Sequence, residues 1–233
     1  MAKDQISVIV PVLNEKHNLP KFLEQLGQFS FMQVIIVDGG SEDGSWQWLQ
    51  DYKKSSSIAG LEILLSEAGR AVQMNAGAEL ATAEVLLFLH ADTELPSNAI
   101  EKIRAGIVGL NWGRFDVAFK ESDLRMALIA WCMNWRSRIT GVATGDQAMF
   151  VQRKVFQKLQ GFAYVPLMED VELCKRLLKH SRPACLQVKV LTSARRWLKH
   201  GVISTVVLMW RLRWAYFIGV SPEKLAKKYQ SVR

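Results

Sequence analysis

The sequence predicts an α/β protein with a doubly wound, mostly parallel sheet and helices on both faces. Between residues 6 and 89, short β-branched runs alternate with segments whose apolar residues recur at helical spacing. This alternation is typical of a parallel sheet with crossover helices. The 233 residues, of which 49% are apolar and 22% charged, are enough for one substantial core.

The strands of the first half are predicted to be buried, because their residues are almost all apolar. They cover residues 6–12, 34–37, 61–65 and 85–89. Helical spacing predicts the intervening helices at residues 19–29, 43–52 and 70–81. The second half is less regular: strands are predicted at 115–119, with hairpin character, and at 184–191, and helices at 124–135, 154–160 and 169–179.

Residues 202–220 are apolar and aromatic but contain Arg211 and Arg213 near their middle. A membrane-spanning helix needs about 20 apolar residues with few charges, so a spanning helix is not expected. Two interpretations remain. The segment is either an amphipathic helix at a membrane interface or a helix packed on the domain or on a partner subunit. We therefore predict a main domain at 1–200 and a helical extension at 201–233.

The formal net charge is +8, and Glu223 is the only acidic residue from 195 to 233. Such a segment is either a solvated basic tail or a surface that meets phosphates. The three cysteines form no CxxC pair, which predicts neither a disulfide framework nor a zinc site. The N-terminus has no signal-peptide pattern, so we expect a cytoplasmic protein, with peripheral contact at the inner face of a membrane as the further alternative.

Polar clusters follow the first, second and fourth predicted strands. Ligands of doubly wound sheets bind at the carboxyl ends of the strands, so these clusters predict the site. The string VDGGSEDGS at residues 37–45 suits a backbone that approaches a nucleotide closely, with Asp38 accepting a hydrogen bond. The alternative is a glycine-rich turn in which Asp43 interacts with a helix dipole.

Asp92 follows the fourth strand in the string FLHADT, where a lone carboxylate should be paired or bound to a metal. Mg²⁺ or Mn²⁺ is typically held by one or two carboxylates plus substrate phosphates. The alternative is that Asp92 caps a turn, and we interpret His90 as a structural histidine. Glu169 and Asp170 open a helix, where they serve either the helix dipole or proton transfer from a hydroxyl.

Arginines are the remaining candidates, because a guanidinium binds phosphate through two hydrogen bonds. Arg70 begins a predicted helix, and Arg195, Arg196 and Trp197 are predicted to end a strand. A solvated surface charge is the alternative for each arginine.

Several strings occur in order: SVIVPVLNE (7–15), VDGGSEDGS, LFLHADT, MEDVELCKRL (168–177) and RRW. Together they resemble glycosyltransferase family 2, the inverting family of GT-A fold, over residues 6–197. GRAVQMNAGA (69–78), TGDQ (144–147) and PLMEDVELC also resemble a bacterial branch of that family named for arsenosugar biosynthesis.

The resemblance implies a role for each matching residue. Pro11, Asn14 and Glu15 would line the base and ribose pocket, Asp38 would contact the base, and Arg70 would approach the diphosphate. Asp92 would contact a divalent cation, Mn²⁺ or Mg²⁺, and Asp170 would be the catalytic base with Glu169 beside it. The nucleotide-sugar-binding set is completed by Gly40, Asn75, Ala91, Arg196 and Trp197.

Two positions depart from the family pattern. His90 replaces the first aspartate of the DxD motif, and Ser193 stands where the QxxRW motif has glutamine. The first departure affects metal binding. The second, with the absence of several spanning helices, favours a single transfer over polymer extrusion.

The resemblance therefore predicts a metal-dependent, inverting hexosyltransferase that uses a nucleoside-diphosphate sugar, foremost a UDP-sugar, and a hydroxyl acceptor. No motif identifies that acceptor. One alternative is a sugar-phosphate nucleotidyltransferase, although the loop after the first strand lacks that class's glycines. The other is a non-catalytic nucleotide-sugar-binding protein. Nucleic acid is not an expected partner, because phosphate grooves favour Lys and Arg over ordered carboxylates.

Overall fold

The computed structural model describes residues 4–121 and 123–230. Its centre is a seven-stranded sheet in the order β3-β2-β1-β4-β6-β5-β7. The strands are β1 (Asp4–Val12), β2 (Phe31–Asp38), β3 (Leu61–Leu65), β4 (Val85–Phe88), β5 (Trp112–Phe119), β6 (Phe150–Gln152) and β7 (Ala184–Thr192). The helices are α1 (Leu19–Leu26), α2 (Ser45–Ser55), α3 (Arg70–Leu80), α4 (Ala99–Ile107), α5 (Leu124–Thr140), α6 (Arg153–Lys158), α7 (Glu169–Leu177), α8 (Arg195–His200), α9 (Val202–Phe217) and α10 (Pro222–Gln230).

The sheet is mostly parallel, as the sequence predicts. Neighbouring strands from β3 through β4 run parallel, and β5 pairs in parallel with β7. Only the short strand β6 runs antiparallel to both of its neighbours, β4 and β5. The carboxyl ends of β1, β2 and β4 therefore meet at one edge, where the polar clusters of the sequence lie.

Two apolar clusters pack on opposite faces of the sheet, which confirms helices on both sides. Along β1, Val8 and Val10 belong to one cluster and Ile9 belongs to the other. This division follows the alternation of side chains along a strand. The first cluster includes Leu19, Phe22, Leu23 and Leu26 of α1, and the second includes Ala71, Met74 and Ala78 of α3.

Several elements differ from the prediction in their boundaries, and three of these differences involve the site or the order of elements. The second helix begins at Ser45 rather than at residue 43, because Gly44 is in the left-handed region with φ 83°. Residues 195–197 begin α8 instead of ending a strand, since β7 stops at Thr192. The strand predicted at 115–119 begins at Trp112, and helix α4, which the sequence analysis did not assign, precedes it.

Helix α5 turns polar side chains inward. Asn134 donates to the Val117 carbonyl oxygen at 3.0 Å and accepts from the Val117 amide at 2.9 Å. The buried Arg114 pairs with Asp116, which also pairs with Arg138 of α5. Since these contacts occupy the inner face of the helix, several of its apolar residues face outward.

The C-terminal helices pack on the main domain. Leu212 of α9 and Leu225 of α10 form a third apolar cluster with Met168 and Val171, at the start of α7. The Lys175 ammonium lies 4.3 Å from the centre of the Tyr216 ring. Over the described residues, no helix has the length and apolar character needed to span a bilayer. Residues 231–233 of the predicted extension lie outside the described part of the chain.

Candidate active site

The loops after β1 and β2 are tied to each other by hydrogen bonds. The Asn14 amide donates to Ser41 Oγ at 2.8 Å, and Asn14 Oδ1 accepts from the Glu42 amide at 2.8 Å. Asn14 adopts a left-handed backbone with φ 57°, which asparagine tolerates better than most residues. The loops after β1 and β2, which the sequence analysis proposed as binding segments, thus form one surface at the carboxyl edge of the sheet.

Asp38 lies beneath this surface. Its side chain is fully buried, and its Oδ1 accepts from the amides of Gly40 at 2.8 Å and Ser41 at 2.7 Å. Its Oδ2 is also buried and has no hydrogen-bond partner among the described residues. Asp38 therefore shapes the loop that carries Gly40, and its contact with a base stays a prediction.

Gln73 fastens the ends of two strands to α3, and sequence analysis missed it. Its Nε2 donates to the carbonyl oxygens of Val12 and Val37, each at 2.8 Å. Val12 is the last residue of β1 and Val37 is the penultimate residue of β2, so one buried amide joins the ends of both strands just before their loops. A glutamine in an otherwise unremarkable helix gives no sequence signal for this role.

The RRW segment approaches the β1 loop from α8. Arg195 Nη2 lies 3.5 Å from Glu15 Oε2, although the sequence analysis placed Arg196 rather than Arg195 in the site. The Arg196 side chain lies outside what the structure describes. Trp197 packs edge-on against Phe119 with ring centroids 6.0 Å apart. Pro11 is half-buried in β1, at the entrance to the same loop.

Asp92 lies in the turn that follows β4, next to the buried Ala91. Its Oδ1 is 3.3 Å from Thr93 Oγ1. His90 Nδ1 is 3.5 Å from Asp146 Oδ1, so the β4 turn meets the 3-10 turn Gly145–Gln147. Asp146 was not among the predicted site residues, although the string TGDQ that contains it was part of the family resemblance.

Asp170 is fixed in the first turn of α7. Its Oδ2 accepts from the Gly145 amide at 3.0 Å, and its Oδ1 accepts from the Val171 amide at 2.7 Å. Each carboxylate oxygen keeps a second lone pair, so the group can still accept a proton. The side chain is half-buried, and its hydrogen bond from Gly145 joins α7 to the 3-10 turn that carries Asp146.

Glu169 occupies a different environment from its neighbour, because only 6% of its surface is exposed. Burial, reinforced by the charge of Asp170, raises the pKa of Glu169 above its ordinary value. Arg70 and His90 act in the opposite direction without outweighing burial. The protonated form of Glu169 is therefore favoured by its burial.

Arg70 is exposed at the first turn of α3 and belongs to the same charged group. Desolvation by the surrounding protein opposes its charge, but Glu169 and Asp146 outweigh it and raise the pKa of Arg70. The structure thus brings Arg70 into the electrostatic range of the two α7 carboxylates, and its contact with a diphosphate stays a prediction.

Asn75 has structural partners. Its Nδ2 donates to the Phe162 carbonyl oxygen at 2.9 Å, and its Oδ1 accepts from the Phe162 amide at 2.9 Å. The side chain is buried, and both of its polar atoms are occupied by the loop that leads to α7. Its role in nucleotide-sugar binding stays a prediction, whereas the structure shows that its two hydrogen bonds fix the backbone of this loop at Phe162.

Two further arginines were missed by sequence analysis. Arg136 of α5 and Arg213 of α9 are both half-buried, and Asp170 is among the charges that act on each. They are separated by more than seventy residues and lie in no recognised string. The packing of α9 on the start of α7 brings Arg213 to the site, and Arg136 reaches it from α5.

Asp92 is the residue that could hold a divalent cation at this site. No group of three or more metal-ligating side chains occurs in the described part of the chain. A hard cation that shares one carboxylate with substrate phosphates needs no such group. Asp92, at the carboxyl end of β4, is compatible with that mode of binding.

The sheet order and the tied loops at its carboxyl edge agree with the GT-A fold that the sequence resemblance implies. The family model described as "Glycosyl transferase family 2" matches residues 7–152, more than half of the chain. The chain therefore belongs to glycosyl transferase family 2.

Curated relatives share part of the chain. It is 29% identical over 154 residues to an undecaprenyl-phosphate 4-deoxy-4-formamido-L-arabinose transferase of Pseudomonas fluorescens (strain SBW25), covering 60% of this chain and 44% of the relative. It is 32% identical over 93 residues to glycosyltransferase AglE of Haloferax volcanii, covering 37% of this chain and 30% of AglE. The chain thus spans less than half the length of these relatives.

Solved glycosyltransferase structures share the fold. The mannosyltransferase PcManGT of Pyrobaculum calidifontis, in complex with GDP-Man and Mn²⁺, superposes with a TM-score of 0.67 at 18% identity, covering 91% of this chain and 61% of that one. S. aureus TarS 1-349 in complex with UDP-GlcNAc gives a TM-score of 0.63 at 18% identity, covering 82% and 58%.

Proposed function

We propose that the protein is an inverting glycosyltransferase that moves a hexose from a nucleoside-diphosphate sugar to a hydroxyl acceptor. The observation that carries the proposal is the position of Asp170. It is held by the Gly145 amide at the carboxyl edge of the sheet, next to Asp146 and within the field of Arg70. Glycosyl transfer follows from the family and fold, and the inversion is part of the proposal.

In the proposed reaction, Asp170 takes the proton of the acceptor hydroxyl as its oxygen bonds to the anomeric carbon. The bond from that carbon to the diphosphate breaks on the opposite side, which inverts the configuration. Arg70 stabilises the charge that develops on the diphosphate. Glu169, whose pKa is raised by burial, stays beside the base and limits the negative charge of the site.

The donor is proposed to lie on the tied loops of β1 and β2, over Asn14, Glu15 and Gly40. The solved relatives in complex with UDP-GlcNAc and GDP-Man support a nucleotide-sugar donor. We propose UDP as the nucleotide and a divalent cation held by Asp92 together with the diphosphate. The cation would supply Lewis-acid stabilisation of the leaving group.

The test compares Asp170→Asn with Glu79→Gln, an exposed control on α3. We expect Asp170→Asn to lower turnover at least about 100-fold, because loss of a general base removes a contribution of that order. Thermal stabilisation by UDP and Mn²⁺ should persist, because donor binding does not depend on the base. Normal turnover by Asp170→Asn would refute its role, and an unchanged rate in EDTA would refute the metal.

The same assay separates the alternative functions. A nucleotide-dependent thermal shift without any transfer would indicate a non-catalytic nucleotide-sugar-binding protein. Formation of a nucleotide sugar from a nucleoside triphosphate and a sugar phosphate would indicate a nucleotidyltransferase.

We further propose contact with an anionic membrane surface through α5 and α9. Both helices expose apolar side chains on a single face, with spacings of three and four residues. On α5 they are Leu124, Leu128, Trp131, Trp135 and Ile139, and on α9 they are Ile203, Val207, Trp210, Trp214 and Phe217. Tryptophan and basic residues together suit a bilayer interface, and Arg211 and the lysines of α10 supply the charge.

Sedimentation with vesicles tests this contact. We expect binding to phosphatidylcholine vesicles that contain phosphatidylglycerol, weakened by salt and by the double variant Trp210→Ser, Trp214→Ser. Val108→Ser, which removes an exposed apolar residue just after α4, is the control and should bind normally. Concentration-dependent dimerisation without vesicle binding would instead assign these faces to a second copy of the chain.

A further inference from the structure

Arg136 and Arg213 lie beside the proposed base without belonging to the donor-binding loops. Leu212, next to Arg213, packs on Met168 and Val171, which flank the Glu169–Asp170 pair in the sequence. Arg136 is held from α5 by donating Nη1 to the Val142 carbonyl oxygen at 3.2 Å. Val142 packs against the same cluster, so both arginines border the first turn of α7.

The guanidinium of Arg136 is incompletely paired. Its Nε and Nη2 are buried and have no hydrogen-bond partner in the part of the chain that the structure describes. A guanidinium has five N–H donors, and burial of charged donors without acceptors is unfavourable. Such groups are retained in folded proteins where binding or catalysis uses them.

The electrostatics of the pair indicate an affinity for anions. Burial, followed by the like charge of Arg213, lowers the pKa of Arg136 to about 10. Burial also lowers the pKa of Arg213, although Asp170 and Asp146 oppose this. Asp170 acts on Arg136 through its charge, yet Nε and Nη2 of Arg136 have no hydrogen-bond partner among the described residues, so that carboxylate does not fill the hydrogen-bonding capacity of Arg136.

We propose that Arg136 and Arg213 form a subsite for a phosphate group carried by the acceptor. The inference rests on the proposed function, because it places this phosphate next to the hydroxyl that Asp170 deprotonates. A guanidinium group binds phosphate well, because it donates paired, charge-assisted hydrogen bonds to two phosphate oxygens. The phosphate belongs either to a lipid headgroup or to a soluble phosphate ester.

Access to Arg136 requires a local rearrangement, because Nε and Nη2 of Arg136 are buried in this structure. Arg213 lies on α9 next to Leu212, which packs on Met168 and Val171 at the start of α7. Binding of the phosphate would supply acceptors for the unpaired donors of Arg136 and bring the charge of Arg213 onto the same group.

The test measures phosphate binding to the full chain in the presence of UDP and Mn²⁺, by calorimetry. The probes are inorganic phosphate, glycerol 3-phosphate, uncharged glycerol and phosphatidylcholine vesicles with phosphatidic acid. The variants are Arg136→Met and Arg213→Met. Arg211→Met, which removes an exposed arginine of the helix that carries Arg213, is the matched control for the soluble probes.

We expect the wild type and Arg211→Met to bind glycerol 3-phosphate but not glycerol. Each of the other two variants should bind it about 10- to 100-fold more weakly, the usual effect of losing hydrogen bonds to a charged group. Tighter binding to phosphatidic acid vesicles than to glycerol 3-phosphate assigns the phosphate to a lipid, and equal or weaker binding assigns it to a soluble ester. Arg136→Met should fold, because replacing a buried charge by an apolar group is often neutral or stabilising. If it does not fold, Arg213→Met carries the test.

Two results would overturn the subsite. One is wild-type protein that binds no phosphate probe. The other is a loss of UDP binding equal to the loss of phosphate binding in both variants, which would assign the arginines to the donor diphosphate. If the wild type binds no UDP while phosphate binding still depends on both arginines, the proposed function fails and the subsite stands.

Discussion

Glu169 and Asp170 are consecutive carboxylates in one helical turn, and their surroundings separate them. Asp170 is half-buried and accepts two backbone hydrogen bonds, whereas Glu169 is buried beside it. Both were candidates from the sequence because acidic residues open this helix. The sequence offered no means of deciding which one is buried, because the turn of α7 depends on Met168, whose φ is 69°.

The raised pKa of Glu169 predicts how stability depends on pH. Burial is the main cause of that rise, so the folded protein holds this proton more tightly than the unfolded chain. The contribution of protonated Glu169 is fully present below its ordinary value of 4.5 and is lost as pH rises through the folded-state pKa. Glu169→Gln should therefore gain stability relative to wild type as pH rises.

Urea unfolding midpoints between about pH 4 and pH 8 measure this difference, over a range that starts near the ordinary pKa of glutamate. Glu79→Gln, at an exposed site, should show no such trend. If the unfolding midpoints of Glu169→Gln and the wild type changed with pH in the same way, Glu169 would not be the source of the pH dependence of stability.

At the scale of an element, α3 shows how a helix positions the site through close packing. It carries Arg70 at its start and Gln73 one turn later. Gly77 allows it to approach the sheet, because a Cβ at this position would lie 2.6 Å from Ile9 Cγ2 and 3.1 Å from Val37 Cγ2. Both neighbours are fully buried strand residues with little room to move.

Gly77→Ala should therefore destabilise the protein by about 1–3 kcal/mol, the usual effect of overpacking a core. Alanine's higher helix propensity, about 1 kcal/mol, offsets only part of this. Gly106→Ala in α4 is the comparison, because its nearest neighbour at 2.9 Å is the flexible end of Leu186. In chemical unfolding, Gly77→Ala should have a lower free energy of unfolding than Gly106→Ala. The reverse order would contradict the packing argument.

Helix α5 illustrates an element whose type was predicted and whose orientation was not. Its apolar residues at helical spacing predicted a helix, and the usual expectation is that such residues face the core. The inward face is instead mixed: Met126 and Ala130 are buried there, but Asn134 bonds the backbone of β5 and Arg138 pairs with Asp116. The exposed tryptophans follow from these contacts between distant parts of the chain.

In the whole molecule, α9 and α10 form a unit that completes one side of the site. Their cluster with Met168 and Val171 is separate from the two clusters of the sheet. Disruption of this third cluster should therefore disturb the packing of the C-terminal helices and the position of the α7 carboxylates more than it disturbs the sheet. The division at residue 200 stays a prediction, and Arg213, which lies beyond it, belongs to the surroundings of Asp170.

Leu212→Ala should loosen this unit, because truncating a buried leucine typically costs about 2–5 kcal/mol. We expect faster proteolysis within residues 202–230 and lower transfer activity, with UDP binding largely retained. Ile203→Ala, on the exposed face of the same helix, is the control and should change neither property. Loss of UDP binding together with the C-terminal helices would show that they also support the donor loops.

The sequence by itself determined the alternating strands and helices, the parallel core of the sheet, the edge at which the site lies and the family. These follow from local periodicity and from short ordered strings, which depend on residues near one another in the chain. Only the tertiary structure decided that Gln73 joins two strand ends, that α5 faces inward with polar groups and that Arg136 meets Arg213 beside Asp170. Those relations join residues tens of positions apart, and packing and burial determine them without leaving a periodic signal in the sequence.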